Sequence, residues 1–176
     1  MSKEELNNEF DVAVRLQKAF DEATREKVAN HQGLDDSEIG LLCPVALKTT
    51  MTNSEIQKLG LSKHYSFVPT IKVVNDLRKL GYECVDAVQV KARKKSTNGY
   101  QKHMLTFEHP KYKVDQVKEV KFADGKTAKF TTEKATEYPQ LLLTNSHDGG
   151  NAFTLSAGIF RLVCSNGLVI KTEDSG

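Results

Sequence analysis

The segment LLLTNSHDGGNAFTLSAGIFRLVCSNGLVI, residues 141–170, decides the fold of this chain. Two arms that are each half apolar, residues 140–145 and 151–156, flank the sequence His147-Asp148-Gly149-Gly150. Asp bonds readily to its own backbone and Gly adopts positive φ, so this sequence favours a tight turn. The segment therefore predicts an antiparallel hairpin.

The apolar run AGIFRLVC, residues 157–164, is compatible with two structures. As a helix it ends at Asn166-Gly167, a good C-terminal pair. As a strand it turns at residues 165–167 and returns along 168–170. The helix is the favoured interpretation.

Outward from this segment, two further hairpins are predicted. Residues 82–92 and 100–107 alternate around the polar turn 96–99, and residues 117–122 and 126–131 flank Asp124-Gly125. Both hairpins are rich in lysine, and the one over residues 82–107 is called here the basic hairpin. Together the three hairpins predict an antiparallel sheet.

Helices are predicted before the sheet. Apolar residues at three- and four-residue steps indicate an amphipathic helix over 4–30, with Ser2-x-x-Glu5 as its capping box. Thr52-x-x-Glu55 opens a short helix that Gly60 closes, and a helix after Pro69 ends at Gly81. The expected class is α+β: an antiparallel sheet of hairpins with flanking helices and an N-terminal amphipathic helix.

We expect three regions along the chain. Residues 1–51 hold the first helix and a linker, with 33–51 as a linker or lid; residues 52–170 form the α+β core domain. Residues 171–176 are polar and expected to be frayed, and the natural chain is expected to continue beyond Gly176.

The composition limits the class of protein. Hydrophobic residues make up 39% and charged residues 27%, which is typical of a globular chain. The apolar runs are far shorter than the roughly 20 residues a bilayer requires, and the acidic N-terminus lacks a secretory signal. We expect no membrane contact and a location in the cytoplasm of a bacterial host. The cysteines Cys43, Cys84 and Cys164 lie far apart, which favours buried thiols over disulfides or a zinc site.

The charges are unevenly distributed. Residues 1–40 carry five bases against ten acids, whereas residues 70–103 carry eight bases against three acids. This asymmetry points to an anionic partner for the second region.

Five segments of the chain resemble a widespread phage and plasmid protein family catalogued as a domain of unknown function, over roughly residues 60–170. They are YSFVP (65–69), LRKLGY (77–82), KHML (102–105), LTNSHDG (143–149) and AGIFRLVCSNGL (157–168). The order of helix, antiparallel strands, basic hairpin and helix is also similar to the core of single-strand annealing proteins, the Red-beta-like superfamily. The first resemblance implies a mobile-element protein, and the second implies subunits that assemble into a ring or filament.

The basic hairpin is the main candidate site. Its two arms carry cations and one aromatic ring, which suit a phosphate backbone and a stacked base, whereas the alternative is a solubilising edge hairpin. Arg161 interrupts an apolar segment, so its charge needs solvent, a carboxylate or a phosphate. The candidate nucleic-acid-binding residues are Lys91, Arg93, Lys94, Lys95, Tyr100, Lys102, His103 and Arg161.

The turn Asn145-Ser146-His147-Asp148-Gly149 holds a hydroxyl, an imidazole and a carboxylate, which suggests a hydrolase. Adjacent residues on a turn seldom point at one another, so turn structure is the favoured interpretation. The histidines show no metal-ligand spacing and no nucleotide-binding glycine loop is present. We therefore expect no catalytic residue, no metal and no cofactor.

These patterns predict a phage or plasmid DNA-binding protein, not an enzyme, that binds or anneals single-stranded DNA in recombination without ATP. Its expected partners are single-stranded DNA and further copies of itself. The alternative is a protein-interaction factor with a host protein partner, such as an inhibitor of a host defence complex. An enzyme centred on His147 and Asp148 is the least favoured reading.

Overall fold

The computed structural model describes residues 1–112, 117–121, 123–131, 137–162 and 169–174, and in these ranges the predicted α+β class is confirmed. The α-helices are α1 (Lys3–Ala29), α2 (Asp36–Leu42), α3 (Asn53–Lys58) and α4 (Thr70–Lys79). Short 3-10 helices cover Pro44–Leu47, Lys95–Thr97 and Pro110–Tyr112. The strands are β1 (Glu83–Gln89), β2 (His103–Glu108), β3 (Val117–Lys121), β4 (Thr127–Thr131), β5 (Glu137–Asn145), β6 (Thr154–Leu162) and β7 (Val169–Asp174).

Two antiparallel sheets form among the described residues. The larger has the strand order β1-β2-β5-β6-β7, and β3 and β4 form a separate two-stranded hairpin. The three predicted hairpins are confirmed as the pairs β1–β2, β3–β4 and β5–β6. β2 pairs with β1 on one side and with β5 on the other, so it lies inside the sheet.

The core lies between one face of the larger sheet and the helices. Leu105 and Phe107 of β2 and Leu143 of β5 are fully buried, and they share one cluster with Ile39 of α2 and Val74 of α4. Alternate residues of a strand point to the same face, which brings Leu105 and Phe107 into one apolar layer. Removing these side chains from water is the main stabilising term of the fold.

Residues 34–46 form part of this core, which corrects the interpretation of 33–51 as a linker or lid. The Asp35 side chain accepts the Glu38 N–H at 2.8 Å and starts α2. Ile39, Cys43 and Ala46 then lie fully buried against the sheet. Short apolar patches interrupted by Gly, Asp and Ser suggest a linker in sequence, but tertiary packing outweighs such weak local patterns. The proposed region boundaries at 51 and 170 stay predictions.

The predicted boundaries of the three helices before the sheet are confirmed. Ser2 and Glu5 form the reciprocal capping box of α1, and Thr52 and Glu55 form that of α3. α4 ends before Gly81, which adopts φ +92°, a conformation that suits glycine because it lacks Cβ.

The prediction of a helix over 157–164 is wrong for its described part. Ala157 to Leu162 belong to β6, which pairs with β5 and β7 on both sides. An apolar run of this length suits a central strand as well as a helix, so periodicity does not separate them. Lys171 to Asp174, predicted to be frayed, belong to β7. Cys164 and the turn at 165–167 lie outside the described residues.

We predict that Ile39→Ala lowers the free energy of unfolding by roughly 2–4 kcal/mol, because the side chain is fully buried and its loss leaves a cavity. Leu80→Ala is the control, since Leu80 is 69% exposed and its loss is expected to cost less than about 0.5 kcal/mol. Urea denaturation measures both. Equal, small losses in the two variants would restore the linker interpretation.

Candidate nucleic-acid interface

The predicted basic residues lie in the connection between β1 and β2. β1 ends at Gln89, which pairs with His103, and Val90 adds one more hydrogen bond from its N–H to the Lys102 carbonyl at 3.0 Å. From Lys91 to Gly99 the backbone bonds are local, such as Thr97 N–H to the Lys94 carbonyl at 3.2 Å. The predicted strand arm over 82–92 therefore ends earlier than expected, and Lys91, Arg93 and Lys95 occupy a loop.

This loop forms an open groove of about 520 Å³, called here the basic groove. It is lined by Gln89, Val90, Lys91, Ala92, Arg93, Lys94, Lys95, Asn98 and Gln101. The four cationic side chains are exposed, and none forms an ion pair with any residue that the structure describes. Their charge is thus available to an external anion.

A polar contact among Lys48, Glu55 and Tyr100 supports one end of the loop. Glu55 Oε2 accepts the Tyr100 hydroxyl at 2.6 Å and the Lys48 ammonium at 2.6 Å. The Lys48 ammonium, then the Tyr100 hydroxyl, lower the pKa of Glu55 to about 2, so it is ionised at neutral pH. Lys48 Nζ also lies 4.9 Å from the centre of the Tyr100 ring. Tyr100 is consequently held in place rather than free.

The remaining predicted residues, Lys102, His103 and Arg161, lie in three different environments. Lys102 is exposed on the same hairpin, whereas His103 is only 1% exposed and bonds to Thr70 Oγ1 at 2.6 Å. This burial corrects the placement of His103 on the binding surface. Arg161 pairs in register with Glu137, at the far end of β5 from Asn145. The strand rise puts its backbone roughly 25 Å from the groove end of the sheet; its side chain lies outside the described part.

Two buried histidines, His103 and His147, pack against each other beside the end of the loop, and no sequence pattern indicated this pair. His147 is fully buried, with its ring centre 5.1 Å from that of His103 and 4.9 Å from that of Phe67. The backbone N–H of His147 donates to the Tyr100 carbonyl at 2.8 Å, which links this histidine pair to the loop. Burial, with a smaller contribution from His103, lowers the pKa of His147 to about 4.

The residues of the suggested hydrolase site form the contacts of a turn. Ser146 Oγ donates to the Asn151 carbonyl at 3.1 Å and accepts the Asn151 N–H at 3.0 Å. Asp148 Oδ1 accepts the Gly150 N–H at 2.8 Å. Asn145 Nδ2 donates to the Val68 carbonyl at 2.9 Å, which ties the turn to the start of α4. These bonds engage the side chains of Asn145, Ser146 and Asp148 in the structure of the turn.

A second groove, of about 800 Å³, lies beside α2 and contains Asp35, Asp36 and Glu83. Its cations are neutralised: Lys27 bonds to Glu38 at 2.9 Å and Arg78 to Asp36 at 2.6 Å. The charge asymmetry of the sequence thus appears as two surfaces of opposite character.

These features define an α+β protein with a five-stranded antiparallel sheet and an exposed basic groove. The chain belongs to the family described as Domain of unknown function (DUF932), which its residues 60–176 match. The resemblance to a family of unknown function is thereby confirmed. The similarity to single-strand annealing proteins stays a prediction.

The chain is similar to two proteins of Escherichia coli strain K12, UPF0380 protein YafZ and UPF0380 protein YfjQ. Each is 29% identical over 116 residues, which cover 66% of this chain and 35% of the relative. The match therefore spans about a third of the length of these relatives. No solved structure matches the chain. Among the described residues, no helix has the length and apolar character needed to cross a bilayer.

We predict that His147 makes the protein less stable in acid. The pKa of His147 in the folded chain lies below the ordinary value of 6.5. Between these two pKa values the unfolded chain is protonated at this residue and the folded chain is not. The stability that depends on neutral His147 is fully present above about pH 6.5 and is lost as the pH drops towards 4. The free energy of unfolding is expected to fall by about 2–3 kcal/mol between pH 7.5 and 4.5. Urea denaturation across this range measures the loss.

The variant His147→Leu tests the assignment, because leucine fills the site without a titrating group. Between pH 7.5 and 4.5, His147→Leu is expected to lose about 2–3 kcal/mol less stability than the wild type. His64→Gln is the matched control, since His64 is exposed and its removal leaves the pH dependence unchanged. An unaltered pH profile in His147→Leu would contradict the prediction.

Proposed function

We propose that the protein is a phage or plasmid DNA-binding protein that holds single-stranded DNA in the basic groove and promotes annealing during recombination. It acts without ATP or metal and not as an enzyme, in the cytoplasm of the bacterial host, and as a homo-oligomer. The observation that carries the proposal is the set of four adjacent cations, Lys91, Arg93, Lys94 and Lys95, that have no described ion-pair partner.

Unpaired cations in a groove favour a polyanion. Each lysine or arginine that contacts a phosphate releases condensed counterions from the nucleic acid, which supplies most of the affinity in sequence-independent binding. Four such side chains within five positions match the close spacing of phosphates along one strand. Lys102 lies on the same hairpin and extends the positive surface.

The groove also has apolar surface, which favours a single strand over a duplex. Val90 is 51% exposed and lines the groove beside Ala92. Bases of a single strand are free to contact such surface, whereas those of a duplex are stacked inside it. Tyr100 takes part mainly by positioning the loop, because its hydroxyl and one side of its ring are engaged by Glu55 and Lys48.

The alternative function, a protein-interaction factor such as an inhibitor of a host defence complex, has one observation in its favour. Val88 and Met104 face each other across β1 and β2, and they are 45% and 37% exposed. Exposed apolar pairs of this kind occur in protein contacts. The cations beside them would then bind an acidic host protein.

We predict that the double variant Lys91→Ala with Arg93→Ala binds a 30-nucleotide oligo(dT) roughly tenfold more weakly at low salt. Two lost phosphate contacts reduce the slope of log affinity against log salt by about 1.4. Fluorescence anisotropy of a labelled oligonucleotide at several salt concentrations measures both quantities.

The control is Lys72→Ala with Lys79→Ala, which removes two exposed cations from α4 and leaves the basic groove intact. Its affinity and salt slope are expected to match the wild type. Equal weakening in the two double variants would show that net charge alone governs binding. Absence of binding by the wild type at low salt would overturn the proposal and favour the protein-interaction function.

A further inference from the structure

Two glutamine side chains line the basic groove, and each has its amide oxygen engaged inside the protein. Gln101 Oε1 accepts the Gly99 N–H at 2.7 Å, and Gln89 Oε1 accepts the Val45 N–H at 3.2 Å. The Nε2 group of neither glutamine has a hydrogen-bond partner among the residues that the structure describes. Each amide therefore leaves two N–H donors for a ligand.

Gln101 is held more firmly than the exposed cations of the groove. The residue is only 4% exposed, and its backbone carbonyl lies 3.0 Å from His103 Nδ1. Because a carbonyl only accepts, Nδ1 carries the proton, and His103 Nε2 accepts the Thr70 hydroxyl at 2.6 Å. Asn145 Nδ2 donates to the same Thr70 oxygen at 3.1 Å. These buried bonds fix the backbone of Gln101, so its amide loses little further freedom when it binds a ligand.

The cations and the two amides suit different parts of a nucleic acid. The four cationic side chains of the groove are exposed and suit the phosphates of a strand. Val90, which is 51% exposed, offers an apolar surface to the face of a base. The bases of a single strand are unpaired, so their edges are free to accept hydrogen bonds from a fixed amide.

We propose that Gln89 and Gln101 donate their side-chain amides to carbonyl oxygens of bases in the basic groove, so that the groove favours thymine over adenine. The proposal rests on the single-strand binding proposed above. Thymine presents carbonyl oxygens at its edge, whereas adenine presents an amino group and ring nitrogens. Glutamine usually recognises adenine through its amide oxygen and nitrogen together. In this groove both amide oxygens are engaged by backbone N–H groups, so that contact with adenine lacks its acceptor.

The ratio of the affinity for oligo(dT) to the affinity for oligo(dA) of equal length tests the proposal. Because oligo(dA) stacks on itself and binds more weakly for that reason, the change of this ratio between variants is the quantity to compare. In Gln101→Met the ratio is expected to fall roughly fivefold, since methionine fills the space without an N–H donor. No cation is removed, so the slope of log affinity against log salt is expected to match the wild type. Fluorescence anisotropy measures both quantities.

Gln101→Glu separates the lost donor from a disturbed loop. A carboxylate still accepts the Gly99 N–H but has no N–H to donate, so the ratio is expected to fall here as well. The added negative charge weakens the binding of both oligonucleotides alike. Gln89→Glu, which keeps an acceptor for the Val45 N–H, is expected to lower the ratio in the same way.

Gln57→Met is the matched control. Gln57 is exposed on α3 and does not line the groove, so this variant is expected to keep the wild-type ratio. Circular dichroism checks that each variant keeps its fold.

A wild-type ratio in Gln101→Met or in Gln101→Glu would overturn the inference and leave single-strand binding intact. A wild-type ratio in Gln89→Glu alone would overturn the role of Gln89. An abasic oligonucleotide of the same length separates bases from phosphates, and Gln101→Met is expected to bind it as tightly as the wild type does. Equal weakening for the abasic strand and oligo(dT) would indicate a phosphate contact and overturn the assignment to bases. A wild type that binds no oligonucleotide at low salt would overturn the proposed function itself.

Discussion

The apolar layer between β2 and the helices is the constraint on which the rest of the structure depends. Leu105 and Phe107 cannot stay in water at acceptable cost, and the strand places them side by side. The layer is closed by Ile39 from α2 and Val74 from α4, so two short helices that are weak in isolation become fixed. The polar contacts around the sheet depend on the backbone positions that this apolar layer fixes.

The polar residues at the two ends of β2 then fix what surrounds the sheet. At one end buried Glu108 bonds to His31, just after α1, and accepts Gln140 Nε2 at 2.8 Å. At the other end His103 bonds to Thr70 of α4. Buried polar groups are costly unless they are paired, so these contacts admit few alternative arrangements. The His103 end of β2 fixes the shape of the basic groove, because the loop that lines the groove leaves and rejoins the sheet at this end.

Sequence reasoning succeeded where a local signal carries the structure. Capping boxes such as Thr52-x-x-Glu55 and the turn glycines mark helix ends and hairpins through backbone geometry, and the hairpins followed from them. It failed where the outcome depends on distant partners. The apolar run after Ala157 becomes a strand because β5 and β7 pair with it, and His103 is buried because Thr70, far away in sequence, reaches it. The roles of Lys48 and His147 have no local signature.

The helix α1 and the basic groove lie at opposite ends of β1. The segment after α1 joins the sheet at the Glu83 end of β1, where the Leu34 N–H donates to the Cys84 carbonyl at 2.7 Å. The basic groove starts at the Gln89 end of the same strand, about 20 Å away along the strand. A contact made by α1 therefore leaves the groove open.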